Sequence, residues 1–417
     1  MRIRELTFTN YRAFTESDPM RFGDRFTVIA GINGRGKTAI LDGLALLFSR
    51  LLPLVSPARS GYRTITPSEV HGNAATAGLA MKVNCAGVPI DFKLSYDKER
   101  RQITTTKLPA SLKREVLTAY GDPSRADDAA PLVVYYTTDR AGYRLPKRLP
   151  KDVPRGQAAA YTGALFNRTV NFRDFMARFR VAIVLENEDR QVNPSFLGDR
   201  AVTAISRVLE TFLDGFRNLR VEEEPLRLLV DKNGESLDLT QLSDGERSCI
   251  ALGCDLVRRL ALANPKLESP LNGAGVVLID ELELHLHPRW QREVVEKLRT
   301  SFPHIQFIAT THSPFVIQSL RPGELINLDP DEFGEYSDKS IEDIAETVMG
   351  VDVPQKSERY HRMMAAAEEY FRLLRESPSQ SEEAVRAAEQ RLNELSAPFS
   401  DDPAFQALLN LERESQP

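Results

Sequence analysis

Apolar and polar positions change their period several times along this chain. The first fourteen residues, MRIRELTFTNYRAF, alternate as a half-buried strand does. RFTVIAGINGRGKTAILDGLALLF, residues 25–48, then reads as an apolar strand, a glycine-rich turn and a helix of apolar spacing. Residues 79–107 alternate again and predict an antiparallel sheet joined to the first strands. VVYYTT, 133–138, is a further strand, and residues 158–218 read as helical, with 172–188 amphipathic. SDGERSCIALGCDLVRRLALAN opens on a capping box, Ser243 at N-cap and Glu246 at N3. Val276–Ile279 are four consecutive apolar residues, a strand buried on both faces as parallel sheets require. One helix later, FIATTHSP reads as its parallel neighbour. Residues 357–376 and 381–396 are amphipathic helices, and 377–380 and the last ten residues are expected to be mobile.

Composition adds bounds. The 417 residues are 42% hydrophobic and 27% charged, ordinary for two or three globular lobes. A net charge of −5 gives no global basic field of the kind that alone signals nucleic-acid binding. Cys85, Cys249 and Cys254 form no even framework and no metal spacing, which predicts a reduced, cytosolic protein. LALLFSRLLPLV is broken by Arg50 and Pro53 and reads as too short to span a bilayer, so no membrane partner is expected. Residues 140–155, RAGYRLPKRLPKDVPR, are strongly basic and carry three prolines. They read as an extended loop, either a solvated connector or a contact for phosphate backbone or an acidic partner.

Gly31-Ile-Asn33-Gly34-Arg35-Gly36-Lys37-Thr38 fits G-x-x-x-x-G-K-[ST]. Glycines let backbone N–H groups converge on phosphates, Lys37 reaches the β and γ oxygens, and the Thr38 hydroxyl can ligate Mg²⁺. Asp280, at the carboxyl end of the apolar strand, can hold Mg²⁺ through water, and Glu281 can polarise the attacking water. A rival reading makes His285 and His287 metal ligands with Glu281 or Glu283. Pro288 ends the element too soon for this, and no H-E-x-x-H or cysteine partner occurs, so a loop crossing a dimer interface is preferred. The start of the Ser243 helix is a second anion site. One chain cannot easily aim both sites at one phosphate, whereas two head-to-tail copies can. His312, ending its apolar strand, can contact the γ-phosphate.

The order GINGRGKT, LSDGE, LIDE and THS resembles the ATP-binding-cassette ATPases, and within them the non-transport branch of RecF, SMC and OLD-type proteins. LSDGERS, VVLIDELELHLHPRWQ and FPHIQFIATTHSPFVI are similar to a bacterial group of predicted ATP-binding proteins found in anti-phage cassettes of the Septu type, beside an HNH nuclease. The resemblance implies an α/β P-loop NTPase with a mixed-sheet head, an antiparallel β lobe, an inserted helical lobe and a helical C-terminus. The corresponding boundaries are 1–157, 158–225, 226–335 and 336–417. It also implies that Ser243 and Gly245 reach the γ-phosphate on a partner subunit. Glu281 is then the general base, His312 the switch histidine, Glu283 to His287 the link between sites, and Arg12 a residue approaching the nucleotide. The class usually carries a glutamine loop; here ITPSEVHGN offers Glu69 instead.

Three functions compete on this reading. One is a dimerising ATPase whose ATP-sandwiched heads regulate a separate effector, such as a nuclease in phage defence. The second is a RecF-like repair ATPase that clamps DNA itself. The third, a transporter subunit, is disfavoured by the roughly 205 residues between P-loop and signature.

Overall fold

The computed structural model describes residues 1–58, 63–120, 130–141, 148, 156–166, 175–183, 199–329, 336, 339–351, 358–375 and 382–396. It separates into two compact units, Met1–Met349 and Gly350–Pro417.

At the centre of the larger unit is a five-stranded parallel sheet. Its order is Leu325–Asn327, Phe26–Ala30, Ile305–Thr310, Gly275–Ile279 and Leu132–Tyr136. The last four of these strands are buried at every residue, because helices or sheets cover both faces. Such strands show no alternation in sequence, only short apolar runs. A second, six-stranded antiparallel sheet carries Arg2–Tyr11 beside Thr76–Cys85, Val88–Asp97 and Gln102–Thr105. Alternation there is strict, BeBeBeBeBi along Val88–Asp97, as one wet face demands. The fold class expected from the sequence is the one found: an α/β core with an antiparallel lobe.

Helix Lys37–Val55 packs against strands of both sheets. At 19 residues it is long and apolar enough to cross a membrane, contrary to the expectation from its broken apolar run. Its apolar residues are instead core, and Gly43 lets the Phe8 ring approach so closely that a Cβ would lie 2.6 Å from it. Gln306, fully buried in a central strand, joins the sheets by side-chain bonds to the Ile3 backbone N–H (2.7 Å) and carbonyl (2.9 Å). A buried amide must be satisfied in this way or it destabilises the fold.

Within the stretch expected to be helical, 158–218, the described residues hold a short 3-10 turn (Gln157–Tyr161), helix at 175–183 and helix Arg200–Phe212. The end departs from expectation: Phe216–Glu223 is a strand, leading a three-stranded sheet with Leu226–Lys232 and Glu235–Asp238. Cross-strand pairing overrides the helical spacing there. Most of the basic stretch 140–155, residues 377–380 and the last ten lie outside the described residues. In the smaller unit, helices Glu358–Arg375 and Glu382–Ser396 pack through Met363, Ala367, Phe371 and Leu392.

Helix Asp244–Ala263 is fastened to the edge of the parallel sheet by a buried ion cluster. Asp255, 1% exposed, accepts from Arg259 Nε (2.6 Å), Arg258 Nη2 (2.5 Å) and the Tyr136 hydroxyl (2.9 Å). Burial alone would raise the Asp255 carboxyl, but the two guanidiniums outweigh it and hold it far below the usual range. Because the native value is depressed, this stabilisation is fully present above the ordinary aspartate value of about 3.9 and is lost only as pH falls below it. Asp255→Asn leaves two arginines buried without their counter-charge, which costs about 3–5 kcal/mol. We expect a clearly lower thermal midpoint at pH 7 and a gap to wild type that narrows in acid. An unchanged midpoint at pH 7 would show that the cluster does not hold the helix.

Candidate functional site

Strand Phe26–Ala30 ends in a turn, Gly31 to Gly36, whose residues 32–35 are exposed. Gly34 and Gly36 have φ of 87° and 95°, the left-handed region that glycine enters without strain. Gly36 is the N-cap of the following helix and supplies no side-chain cap, so the first-turn amides are open to an anion. Lys37, 7% exposed, folds back so that its ammonium donates to the Gly31 carbonyl (2.6 Å) and the Ile32 carbonyl (3.0 Å). Burial lowers its pKa, against the carboxylates of Asp329, Glu283, Asp280 and Glu281, which raise it.

Across the turn stands Asp280, on the buried strand's carboxyl end and 5% exposed. Its carboxylate accepts from the Thr38 hydroxyl (3.1 Å) and the Thr310 hydroxyl (2.6 Å). Thr310 in turn accepts the Glu281 N–H at 2.8 Å. Glu281 is half-buried with φ 48°, a left-handed conformation that is uncommon for a side-chain-bearing residue. The Thr38 hydroxyl and Asp280 carboxylate are hard oxygen donors at the mouth of the anion turn, the set Mg²⁺ takes beside a phosphate.

Glu283 latches the next strand: its carboxylate accepts from the Thr311 hydroxyl and the His312 N–H, both at 2.6 Å. His312 thus follows directly on the strand end that Glu283 holds. His287 is the N-cap of helix Pro288–Ser301, its Nδ1 accepting the Arg289 N–H at 3.3 Å, and His285 is exposed with φ 64°. Among the described residues, no three of His, Cys, Asp and Glu converge as ligands for a metal.

Ser243 caps its helix as the sequence predicts: its hydroxyl oxygen accepts the Glu246 N–H (3.3 Å) while Glu246 accepts the Ser243 N–H (2.9 Å). Ser243 is itself exposed, and its hydroxyl also hydrogen-bonds the Glu246 carboxylate. Lys232, from the three-stranded sheet, holds Glu246 in place at 2.7 Å. Gly245 lies against the segment after the acidic strand, and a Cβ there would sit 2.4 Å from the His285 carbonyl oxygen. The start of the Ser243 helix is thereby seated on the loop that follows Glu281.

Sequence reasoning missed Arg140, Asp329 and the ion pairs that hold Arg12. Arg140, read as part of an exposed basic loop, is 3% exposed; it donates to the Asp280 carbonyl (2.5 Å), the Glu281 carbonyl (2.5 Å) and the Leu282 carbonyl (3.5 Å). Asp329 accepts the Ile32 N–H at 2.7 Å and pairs with Arg35, so the Arg35 side chain is engaged by a carboxylate that also binds the turn. Arg12 pairs with Asp42 and Glu69, each at 2.6 Å. Burial would raise the Asp42 carboxyl, but hydrogen bonds and charge from Arg63 and Arg12 hold it below its ordinary value. Arg12, Asp42 and Arg63 line a cleft of about 450 Å³ shared with Thr38 and Asp280.

A glycine-rich turn on a parallel sheet, opposed by a strand-end aspartate and glutamate, defines a P-loop ATPase. This chain belongs to the family described as "AAA domain, putative AbiEii toxin, Type IV TA system", matched over residues 26–318. It is 27% identical over 380 residues to "Retron Vc95 probable ATPase" of Vibrio cholerae serotype O1 biovar El Tor, covering 77% of this chain and 72% of that protein. It is 23% identical over 348 residues to the Septu protein PtuA of Bacillus thuringiensis, covering 80% of each. The chain is thus an ATPase, similar to the retron and Septu proteins. Among solved structures it is similar to the SMC head domain from Thermotoga maritima, with TM-score 0.42, 17% identity and coverage of 78% of this chain and 94% of that one.

Gly245→Ala tests the seating of the second site. The methyl must push on backbone, which costs about 1–3 kcal/mol. ATP hydrolysis should fall while binding of a fluorescent ATP analogue stays near wild type. Wild-type hydrolysis in this variant would show that the contact is incidental.

Proposed function

We propose that this chain is a cytosolic ATPase switch: ATP bound on the turn of one copy is closed over by the Ser243 helix of a second copy. Closure regulates a separate effector, a nuclease in bacterial anti-phage defence. The observation that carries this reading is the Ser243 helix start, exposed and seated by Gly245 on the loop that follows Asp280 and Glu281. The names of its relatives, a retron ATPase and a Septu protein, favour a defence role over autonomous DNA repair.

The residues divide the work. Backbone N–H groups from Asn33 to Lys37 receive the phosphates, with Gly34 and Gly36 allowing their convergence and Arg35 contributing through its backbone. Lys37 leaves its two carbonyls for the β and γ oxygens. Thr38 and Asp280 would hold Mg²⁺, which when bound would neutralise charge developing on the phosphates. Glu281 orients and deprotonates the attacking water, and His312 contacts the γ-phosphate. Arg12 faces the same cleft from its two carboxylates. Ser243 and Gly245 complete the site from the partner copy, so hydrolysis and head closure are coupled.

Glu281→Gln removes the base and spares the phosphate cradle; ATP binding should persist while hydrolysis falls by about 10²–10⁴. Near-normal turnover would refute that role. On this slow background, ATP should increase crosslinking between cysteines introduced beside Ser243 and beside the P-loop of another copy. Ser243→Arg should abolish the increase by charge and bulk while retaining ATP binding. Equal crosslinking with and without ATP would reduce Ser243 to a helix cap.

A further inference from the structure

The strand Leu132–Tyr136 runs parallel to the acidic strand in register, Tyr136 opposite Ile279, and the Tyr136 carbonyl accepts the Asp280 N–H at 2.8 Å. The chain leaving it passes through Thr137 into a short turn, Thr138–Ala141, and Thr137, Thr138 and Asp139 line the cleft shared with Thr38 and Asp280. The next residue, Arg140, points the other way, into the protein, and binds the carbonyls of Asp280 and Glu281. Glu69 cannot serve as the metal-facing residue from where it stands, since its carboxylate is taken up by Arg12 at 2.6 Å and by the Thr66 N–H at 2.9 Å.

We infer that the turn Thr137–Arg140 couples the metal-and-phosphate site to the water-activating glutamate, with Asp139 facing the metal and Arg140 as the positioning residue for Glu281. This rests on the ATPase mechanism proposed above. Glu281 sits at φ 48°, a conformation its own side chain does not favour. Two side chains fix it there: Thr310 takes its N–H and Arg140 takes its carbonyl. A planar guanidinium spans consecutive carbonyls, whereas a lysine ammonium is a point donor on a flexible stem. Displacement of Asp139 by a metal or phosphate therefore moves Arg140, its covalent neighbour, and with it the backbone that aims Glu281. A misplacement of about 1 Å at such a group is enough to cost about 10² in rate.

The test uses the full-length chain with Arg140→Lys, Arg140→Ala and Asp139→Asn. Arg140→Lys should bind ATP within about twofold of wild type yet hydrolyse it about 10²-fold more slowly in single turnover. Added guanidinium should restore part of the hydrolysis in Arg140→Ala and none in Glu281→Gln, which separates positioning from the base itself. Asp139→Asn should weaken Mn²⁺ binding to the ATP complex severalfold, read by electron paramagnetic resonance without turnover. Hydrolysis within about threefold of wild type in Arg140→Lys, or no guanidinium rescue in a folded Arg140→Ala, overturns the positioning role. Unchanged Mn²⁺ affinity in Asp139→Asn overturns the coupling. Normal hydrolysis by Glu281→Gln would instead strike the underlying mechanism, and the Mn²⁺ measurement would still decide whether the turn senses the metal.

Discussion

A carboxylate taken out of water at the end of a buried strand must be hydrogen-bonded or paired, and Asp280 is held by hydrogen bonds to its side chain and its backbone alike. The hydroxyls of Thr38 and Thr310 satisfy its oxygens, and Arg140 and Tyr136 grip the backbone on either side of it. Those partners come from three separate parts of the chain. The P-loop, the glutamate, the histidine strand and the edge strand are therefore mutually positioned through one residue. Loss of the Asp280 carboxylate would leave two hydroxyls without their acceptor and would release Thr38 from the turn.

The same logic extends outward. The parallel sheet presents its carboxyl ends to one side, which is where ligands bind in open α/β architectures. The Ser243 helix reaches this side by two independent routes. Asp255 ties its middle to Tyr136, the residue before the Thr137–Arg140 turn, and Gly245 seats its start on His285, in the loop after Glu281. A displacement of that helix is thus transmitted to both flanks of the acidic strand. This connectivity is what a switch needs, because an effector that binds one helix position more tightly can shift the balance between states only through such contacts.

Much of this was legible in the sequence because it is local. The phosphate turn, the buried strands and the Ser243 cap are written in residues within a few positions of one another, where glycine conformation, burial on both faces and capping chemistry act directly. The Phe216–Glu223 strand was misread since its spacing suits a helix and only pairing with Leu226–Lys232 decides otherwise. Arg140 was hidden for a different reason. It lies in a basic, proline-rich stretch, yet its partners are backbone carbonyls about 140 residues away, which carry no side-chain signature at all. Asp329 meets the P-loop across 297 residues. Likewise Arg12 read as a nucleotide contact, while its pairing with Asp42 and Glu69 depends on how the antiparallel lobe sits against helix Lys37–Val55.

The account stands on nucleotide shared between the P-loop of one copy and the Ser243 helix of another. Mixing Lys37→Ala chains with Ser243→Arg chains, each inactive alone, tests this directly through ATP hydrolysis. A mixed pair brings together one intact P-loop and one intact Ser243 helix, so activity should reappear, at roughly a quarter of wild type for random two-fold pairing. Mixtures that stay as inactive as their parents, with the two chains shown to associate, would contradict a shared site.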